Sequence, residues 1–277
     1  MKIVIGIDVG GSTTKIVGIK QDGDKLSLIT PQFVKANDPV TATYGAFGKF
    51  TDENEIAISD ISKVVMTGVG SSHVKGRLYG IDCCRVPEFD CIGRGGIYLS
   101  GLDKAIVVSM GTGTAIVNAE KDGRMEYLGG TGVGGGTLLG LSRLLIGAED
   151  VDTIANVATE GNLANIDLRI KDLTDREHEL DADMTAANFG NVSEIATKGD
   201  VAAGVLNLIY ETVGMVSIFA SRSRSVKDIV LTGNLTRLAS CEKKFEEFNR
   251  LGYGVKFVIP TMSEFSTVIG CALSAFN

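Results

Sequence analysis

Two stretches of the chain, about a hundred residues apart, share one unusual order of residues. In residues 3–23 an apolar run passes into glycine- and hydroxyl-rich residues, a second apolar run follows, and an Asp-Gly pair closes the unit; residues 105–123 repeat this order. Asp-Gly after an apolar run is typical of a hairpin, and repetition of such a unit indicates a duplicated structural element. The repeat predicts two similar lobes, divided near residue 103, whose glycine turns face each other across a cleft.

The rest of the chain predicts helices between further strands. Valine- and isoleucine-rich runs predict strands, and apolar residues at helical spacing predict helices. The predicted strands cover 2–8, 14–20, 25–29, 63–67, 104–109, 114–119, 124–128, 228–232 and 255–259. The predicted helices cover 39–51, 89–100, 134–146, 151–159, 201–222, 235–250 and 264–275. Antiparallel hairpins followed by alternating strands and helices indicate an α/β protein with mixed sheets.

Composition and charge exclude some classes of partner. The 277 residues are 44% apolar and carry a net charge of −7, without a basic stripe, so we expect a globular protein that does not bind nucleic acid. Eight of the acidic residues lie in 160–183, a segment that is either a lid or a solvated surface. The opening apolar run is interrupted by Asp8, which predicts no membrane or secretory segment and a cytoplasmic protein.

The cysteines and histidines do not form a recognisable metal or disulfide pattern. Five cysteines lack the CxxC spacing and only two histidines are present, which argues against a zinc site or a disulfide framework. Buried thiols in a reducing compartment are the simpler interpretation.

The first glycine turn has the groups that a nucleotide phosphate needs. Phosphate oxygens are bound by closely approaching backbone N–H groups, by hydroxyls and by a cation, and the accompanying Mg²⁺ prefers a carboxylate, directly or through water. The turn offers one metal ligand, Asp8, and a set of candidate ATP-binding residues: Asp8, Gly10, Gly11, Ser12, Thr13 and Lys15. The sequence therefore predicts a phosphate site at this turn.

Three further glycine elements follow in an order that supports the same prediction. They supply the candidate ATP-binding residues Gly111, Thr112 and Gly113 of the second turn, Gly134, Gly135, Gly136 and Thr137 at the start of a helix, and Gly233 and Asn234 after a strand. A helix N-terminus can approach a phosphate or the ribose, and a glycine shelf can pack against adenine. Each element alone could be an ordinary turn or a tight packing contact. Their conjunction favours nucleotide binding.

The motif order resembles the sugar kinase, actin and heat-shock chaperone superfamily and, within it, the type II pantothenate kinases over nearly the whole chain. The resemblance rests on 8-DVGGSTTK-15, 87-PEFDC-91, 111-GTGT-114, 129-GGTGVGGGTLLGL-141, 160-EGN-162, 166-ID-167 and 185-TAANFG-190. It implies a two-lobed actin-like (ribonuclease H-like) ATPase fold with mixed sheets and a nucleotide cleft between the lobes. It also implies ATP and Mg²⁺ as cofactors, γ-phosphoryl transfer to a small-molecule primary alcohol, and a homodimer.

The same resemblance implies roles for particular residues. Glu88 matches the catalytic base of the family, with Asp90 as the second choice, although a first-turn acid is also favoured by the helix dipole alone. Residues 1–103 would carry the first phosphate hairpin and this glutamate. Residues 104–277 would carry the second hairpin, the adenosine motif and the dimerising helices. The implied substrate-binding positions are Thr112, Thr114 and Tyr127.

Two positions depart from the family. Tyr127 stands where the family has an arginine that binds the pantothenate carboxylate, and Ala115 stands where it has a hydroxyl residue. Arg124 or Arg143 could replace the missing cation. The predicted activity is therefore phosphorylation of pantothenate, the first step of coenzyme A biosynthesis, or of a related alcohol such as pantetheine.

Two functions of a different class stay open at this point. One is an ATPase activator of the 2-hydroxyacyl-CoA dehydratase type, which would hold an iron–sulfur cluster through cysteines. The second is a nucleotide-binding regulator that keeps the fold without turnover. The motif 185-TAANFG-190 speaks against the activator, and the presence of Asp8, Lys15 and Glu88 speaks against the regulator.

Overall fold

The computed structural model describes residues 2–11, 13–35, 38–74, 76–173 and 181–276, so Ser12 lies outside the described residues. The strands are β1 (Lys2–Val9), β2 (Thr14–Asp22), β3 (Lys25–Val34), β4 (Ile61–Thr67), β5 (Arg77–Leu78), β6 (Ile81–Arg85), β7 (Lys104–Met110), β8 (Thr114–Glu120), β9 (Met125–Thr131), β10 (Leu168–Arg169), β11 (Thr185–Ala187), β12 (Asp228–Thr232) and β13 (Lys256–Val258). The α-helices are α1 (Pro39–Glu53), α2 (Glu88–Ser100), α3 (Gly135–Ile146), α4 (Val151–Ala158), α5 (Ile170–Leu173), α6 (Lys198–Arg224), α7 (Ala239–Arg250) and α8 (Ser266–Leu273).

The two large sheets share a five-strand topology, to which the first sheet adds a sixth strand, β5, antiparallel to β6. The first has the order β3-β2-β1-β4-β6-β5 and the second the order β13-β12-β7-β8-β9. In each, three antiparallel strands form a meander and two further strands add in parallel to the first strand of that meander. Thus β7 occupies in the second sheet the place that β1 occupies in the first. The α/β class and the mixed sheets predicted from the sequence are confirmed.

The helices cover both sheets on both faces. The helix α1 packs against one face of the first sheet with Phe47 and Phe50, and α8 packs against the other face with Val268 and Ile269. The second sheet is covered by α2 on one face and by the long helix α6 on the other. The side chains alternate between faces along each strand, because the pleat points successive Cβ atoms to opposite sides. Each sheet is therefore the middle layer of its own core.

Helices α2 and α8 connect the two halves of the chain. The helix α2 follows β6 of the first sheet yet packs on β7, β8 and β9, and α8 comes near the end of the chain yet packs on β1, β2 and β4. The two helices contact each other backbone to backbone, because a Cβ on Gly95 would overlap the Ser266 carbonyl and one on Gly270 would overlap the Cys91 carbonyl. A boundary near residue 103 therefore divides the strands of the two sheets, whereas α2 and α8 each pack on the sheet of the other half. The division of the chain into two domains at this residue stays a prediction.

Some local predictions were wrong at their ends. The predicted helix 235–250 is a 3₁₀ turn at Asn234–Arg237 followed by α7, and the predicted helix 264–275 has 3₁₀ turns on either side of α8. Of the strands outside the predicted ranges, β5, β10 and β11 have only two or three residues, too few to show a period, while β6 overlaps the strand-like run 83-CCRVP-87 that precedes Glu88. The helix α6 begins three residues before its predicted start, where Thr197 and Asp200 form a capping box.

By length and composition alone, α6 could cross a membrane. Most of its apolar window, 61%, is buried inside the protein, where Val205, Ile209 and Val213 contact the second sheet. Such burial is typical of a core helix.

Candidate active site

Three parallel strands of the first sheet end beside one another and bring distant residues together. Asp8 of β1 is paired with Thr67 of β4, and Met66 of β4 is paired with Arg85 of β6. The Thr67 hydroxyl donates a hydrogen bond to the Val86 carbonyl at 3.0 Å, which fixes the chain just before α2. Ligand sites in α/β proteins lie at the carboxyl ends of parallel strands. Glu88, the first residue of α2, is thereby placed near Asp8.

Two opposite charges, those of Asp8 and Lys15, lie shielded at the base of the first hairpin. They face each other across β1 and β2, and Lys15 is only 8% exposed. Burial lowers the pKa of Lys15 and raises the pKa of Asp8, and in each case the opposite charge of the partner works against the shift. The Lys15 ammonium also donates a hydrogen bond to the Glu264 carbonyl at 2.5 Å. The lysine is therefore held in place before any ligand binds.

Glu88 lies close enough to Asp8 for the two carboxylates to repel each other. Its pKa is raised, first because the surrounding protein partly removes its carboxylate from water and second because of the negative charge of Asp8. A carboxyl with a raised pKa is better suited to accept a proton near neutral pH than an ordinary glutamate. The sequence indicated Glu88 as the candidate base, and the structure adds that the negative charge of Asp8 lies near it.

The first turn is a tight, exposed loop. The Gly10 N–H donates to the Thr13 carbonyl at 3.0 Å, and Gly11 at the tip is exposed, with no atom within 4 Å of a Cβ built on it. Gly68, which follows β4, lies directly over Asp8: a Cβ there would come within 2.6 Å of the Asp8 carboxylate, and its φ is +84°. Gly68 was not among the predicted site residues, although a glycine just after a strand is a recognisable signal for a close backbone approach.

The second and third glycine elements pack directly on each other. The Gly135 and Gly136 N–H groups donate to the carbonyls of Gly111 and Thr112, both at 2.8 Å. A Cβ on Gly134 would come within 2.8 Å of the Thr112 carbonyl oxygen. These glycines thus hold the start of α3 against the second turn, and their two N–H groups are already used within the protein. Their ATP-binding role stays a prediction that rests on the helix dipole rather than on those two donors.

The threonines of this region differ in what they offer. The Thr112 side chain lies at the exposed tip of the second turn. The buried Thr114 hydroxyl donates to the Val133 carbonyl at 2.8 Å. The Thr137 hydroxyl donates to the Gly132 carbonyl at 2.9 Å and accepts from the Gly134 N–H. Thr112 is therefore the one of the three whose side chain lies open to a ligand.

The fourth element lies beside the second turn. Gly233 has a φ of +94°, and a Cβ there would come within 2.5 Å of the carbonyl oxygen of Met110, the residue before Gly111. Its N–H donates to the Ser263 carbonyl at 3.0 Å. Because the next carbonyl, that of Glu264, accepts from Lys15, the segment 263–264 joins Gly233 to the first hairpin. Elements that are far apart in the sequence are thus gathered around one short segment.

A further cation, which the sequence analysis missed, lies in the same region. Arg237 is close enough to Lys15 for its charge to lower the pKa of that lysine. Its guanidinium is paired with Asp152 at 2.7 Å. No pattern in the sequence distinguishes this arginine from other surface arginines, because its position depends on contacts between α4 and the turn after β12.

Tyr127, an implied substrate-binding residue, contacts the residue that follows the catalytic candidate in the chain. Its ring stacks on that of Phe89, the neighbour of Glu88, with centroids 3.9 Å apart and planes 12° apart. The two arginines that could replace the missing carboxylate contact are paired elsewhere: Arg124 with Asp122 and Glu120, and Arg143 with Glu149.

The motif 185-TAANFG-190 serves the structure of the second half. Buried Asp167 accepts hydrogen bonds from the Phe189 N–H at 2.8 Å and from the Asn207 amide at 2.7 Å. Glu211 accepts from Thr185, Asn188 and Lys244. These bonds hold the β10–β11 pair on α6. A cavity of about 780 Å³ opens beside the network, and its lining residues, such as Lys243 and Tyr253, are separate from the glycine turns.

Solved structures define the class of fold. The activator of the 2-hydroxyisocaproyl-CoA dehydratase from Clostridium difficile, solved with bound ADPNP, superposes with a TM-score of 0.72 at 17% identity, covering 99% of this chain and 94% of that one. The (R)-2-hydroxyglutaryl-CoA dehydratase component A from Acidaminococcus fermentans gives 0.70 at 17% identity, covering 99% and 97%. At such low identity the likeness concerns the fold alone. The protein therefore has the two-lobed actin-like ATPase fold.

Sequence relatives define the family within that fold. The profile of the Fumble family matches residues 104–257. A type II pantothenate kinase from Staphylococcus saprophyticus is 30% identical over 245 residues, 83% of this chain and 84% of the relative. Those from Oceanobacillus iheyensis and Staphylococcus aureus are each 29% identical, over 92% and 96% of this chain and 93% and 97% of the relatives. The chain belongs to the type II pantothenate kinase family, a family of phosphotransferases with an alcohol acceptor, and the resemblance read from its motifs is confirmed.

Proposed function

We propose that this protein transfers the γ-phosphoryl group of ATP to the primary hydroxyl of pantothenate. One observation carries the proposal: Asp8, Lys15 and Glu88 converge at the carboxyl ends of the first-sheet strands, and segment 263–264 ties this group to the Gly233 element. The family relatives named above are pantothenate kinases. The first glycine turn, the second turn and Gly233-Asn234 would together contact the nucleotide.

Each of the three charged residues has a role that fits its surroundings. Lys15 would neutralise charge on the transferring phosphoryl group, and Glu88 would accept the proton of the acceptor hydroxyl while orienting it. Phosphoryl transfer gains most from positioning and charge neutralisation, and general-base catalysis typically contributes about 10²–10⁴-fold. The raised pKa of Glu88 suits the base, and the pre-positioned ammonium of Lys15 suits the charge clamp.

Asp8 is the residue that would hold Mg²⁺, directly or through water. Its carboxylate is a hard oxygen ligand of the kind that Mg²⁺ prefers. Burial raises the pKa of Asp8 and the charge of Lys15 offsets that rise only in part, so a bound cation would favour the ionised carboxylate. When bound, the ion supplies charge neutralisation between the phosphates. The residues present therefore fit the metal.

Pantetheine is the second candidate acceptor. It shares the hydroxyl-bearing end of pantothenate but has a neutral amide where pantothenate has its carboxylate. Tyr127 favours it, because this residue offers an aromatic ring where the family has an arginine, and Arg124 and Arg143 are paired with acids of their own.

The cysteines do not favour the role of a dehydratase activator. An iron–sulfur cluster shared between subunits needs thiols at the surface, whereas Cys91, Cys241 and Cys271 are buried. Cys83 and Cys84 are half-buried in β6, where their thiols lie against the carbonyls of Ile81 and Val64. A colourless purified protein without iron is the expected result, and stoichiometric bound iron would support the activator instead.

The proposal also includes the oligomeric state and the cellular compartment of the protein. A cytoplasmic homodimer is expected, as the family resemblance implies. Sedimentation at micromolar concentration should give twice the chain mass of 29.2 kDa, and a monomer throughout would contradict this part of the proposal.

The direct test is a screen of ADP release against pantothenate, pantetheine and pantoate. We expect ATP consumption only when an acceptor alcohol is present, and a loss of about 10²-fold or more in kcat for Glu88→Gln with nucleotide binding retained. Asp90→Asn separates the two candidate bases. Full turnover by Glu88→Gln would show that Glu88 is not the base, and no acceptor-dependent turnover with any alcohol would contradict the proposed function.

A further inference from the structure

We propose that the cavity between α6, α7 and the β10–β11 pair is a second ligand site, which binds an organic anion with an apolar body. The cavity has a volume of about 780 Å³, within the range of about 300–1,000 Å³ that is typical of small-molecule sites. None of the described residues that line it belongs to the glycine turns or to the group of Asp8, Lys15 and Glu88. The cavity is therefore separate from the proposed kinase centre.

Hydrogen bonds fix the three walls of the cavity to one another. Thr185 of β11 and Lys244 of α7 both donate to the carboxylate of Glu211 on α6, each at 2.8 Å. The side chains of Lys244 and Glu211 are only 17% exposed. All three residues line the cavity. Its shape is thus set by bonds within the protein, which reduces the ordering that a ligand must impose.

Part of the lining is apolar and still accessible. It includes Met215 of α6, Phe248 of α7 and Tyr253 shortly after α7. The rings of Phe248 and Tyr253 lie with their centroids 5.8 Å apart, and Met215 and Tyr253 are only half-buried. Removal of such apolar surface from water favours binding of an apolar group. This part of the lining suits an aromatic or aliphatic body.

Two cations of the lining have no acidic partner among the residues that the structure describes. They are Lys243 and Arg250, which are exposed and lie seven residues apart on α7. A separation of seven residues is close to two helical turns, so both belong to one face of α7. The other two lining cations, Lys244 and Arg169, are paired with acids. The positive charge that remains for a ligand is therefore on α7.

The acids of the lining leave this positive charge largely in place. Three of the four lining carboxylates are paired with Lys244 or Arg169. The fourth, Asp181, lies before β11, and its carboxylate accepts a hydrogen bond from the Asp183 N–H at 2.9 Å. Two cations without a partner against one such acid favour a ligand with a single anionic group. A carboxylate, a sulfonate or a phosphate fits this description.

Binding of 8-anilinonaphthalene-1-sulfonate tests the site, because this fluorescent probe joins an aromatic body to one anionic group. We expect one saturable site per chain in a fluorescence titration, and no displacement by ATP with Mg²⁺. Displacement by ATP would place the probe in the nucleotide cleft and overturn the inference, as would weak binding at many sites without saturation. Both results would leave the proposed kinase function intact, because the titration does not depend on turnover.

A double variant tests the two cations. Lys243→Met with Arg250→Met is expected to weaken binding of the sulfonate by about fivefold, since each exposed charge contact contributes modestly. Binding of N-phenyl-1-naphthylamine, the same aromatic body without the sulfonate, should not change. Lys227→Met with Lys256→Met is the matched control, because it removes the same charge from two exposed lysines that do not line the cavity. Equal affinities for the sulfonate in the two double variants would overturn the inference.

A third variant tests the apolar wall. Tyr253→Ser is expected to weaken binding of the sulfonate and of its neutral analogue alike, because the lost ring contacts the body that the two probes share. A melting curve verifies that the variant is folded. Unchanged affinity for both probes in the folded variant would show that they bind outside this cavity, and the inference would be wrong.

Discussion

Asp8, Lys15 and Glu88 are held where protein partly replaces water around their charges. The pKa of each is displaced in the direction that burial dictates: upward for the two acids and downward for the lysine. Burying a charge costs stability unless the charge is paired. Lys15 has both Asp8 and the Glu264 carbonyl, whereas Glu88 faces a like charge. A group that weakens the fold in this way is typical of functional sites.

Replacing Glu88 with glutamine is expected to raise the melting temperature at neutral pH. Folding raises the pKa of this carboxyl, so the folded state binds its proton more tightly, and the free energy of unfolding falls as the pH rises through that raised pKa. Glutamine does not ionise, so the variant does not lose this part of the free energy of unfolding. Thermal melts from about pH 4.5 to about pH 8 should show the Tm of Glu88→Gln gaining on the parent as the pH rises.

Glu126→Gln is the control of opposite sign. Hydrogen bonding to Arg224 lowers the pKa of Glu126. The stabilisation of the folded state by this carboxylate is therefore present above the ordinary glutamate pKa and is lost as the pH falls through the lowered pKa. Its Tm should lie below the parent at neutral pH and approach it in acid. A Tm difference for Glu88→Gln that stays constant with pH would show that the Glu88 carboxylate does not destabilise the fold.

Single residues of the site could be predicted only where the connection is local. Asp8 and Lys15 lie in one hairpin, so the turn itself places them opposite each other and their types reveal the chemistry. The stacking of Phe89 on Tyr127 and the nearness of the Arg237 charge to Lys15 involve separate elements. No local pattern contains these relations, because they depend on how α2 and the turn after β12 pack.

At the level of elements, α2 and α8 depend on glycines at their crossing. Gly95 and Gly270 let the two backbones come into direct contact, and Gly96 gives room to Val107 of β7. Because α2 begins at Glu88, any shift of this helix also moves the proposed base relative to Asp8. The crossing thus connects the packing of the two sheets to the geometry of the site.

Gly95→Ala is expected to reduce the free energy of unfolding by about 1–3 kcal/mol, since the new methyl group would overlap the Ser266 backbone, which cannot move as a side chain can. Gly45→Ala is the matched control in α1, where a Cβ meets nothing within 4 Å, and it should stabilise by about 0.5–1 kcal/mol. Urea denaturation of both variants measures the difference. Equal stability of the two variants would show that the α2–α8 contact is looser than described.

Elements were predicted well where the chain is periodic and poorly where it is not. The hairpin β1–β2 and the helix α6 have long apolar patterns, and both were found. The short strands β10 and β11 are held by hydrogen bonds that the carboxylates of Asp167 and Glu211 accept, from the Phe189 N–H and the Thr185 hydroxyl, rather than by any period of their own. The motif 185-TAANFG-190 was conspicuous in the sequence, yet its role in supporting α6 could be seen only in three dimensions.

The whole molecule repeats one sheet topology in two halves. The repeat in the sequence predicted this duplication, because each copy keeps its own strand–turn–strand unit. The exchange of α2 and α8 between the sheets was not predicted, since nothing in an amphipathic pattern says which sheet a helix will cover. The segment 263–264 connects the first hairpin to Gly233, which lies beside the second glycine turn.

The central claim is that these two turns together bind a nucleoside triphosphate, and calorimetric titration with a non-hydrolysable ATP analogue and Mg²⁺ tests it most directly. We expect one analogue bound per chain, and affinity about tenfold or more weaker in Lys15→Met, because a charge-assisted contact is worth about 1.5–3 kcal/mol. If the parent protein, folded by its melting curve, shows no binding of any adenine nucleotide, the claim is contradicted.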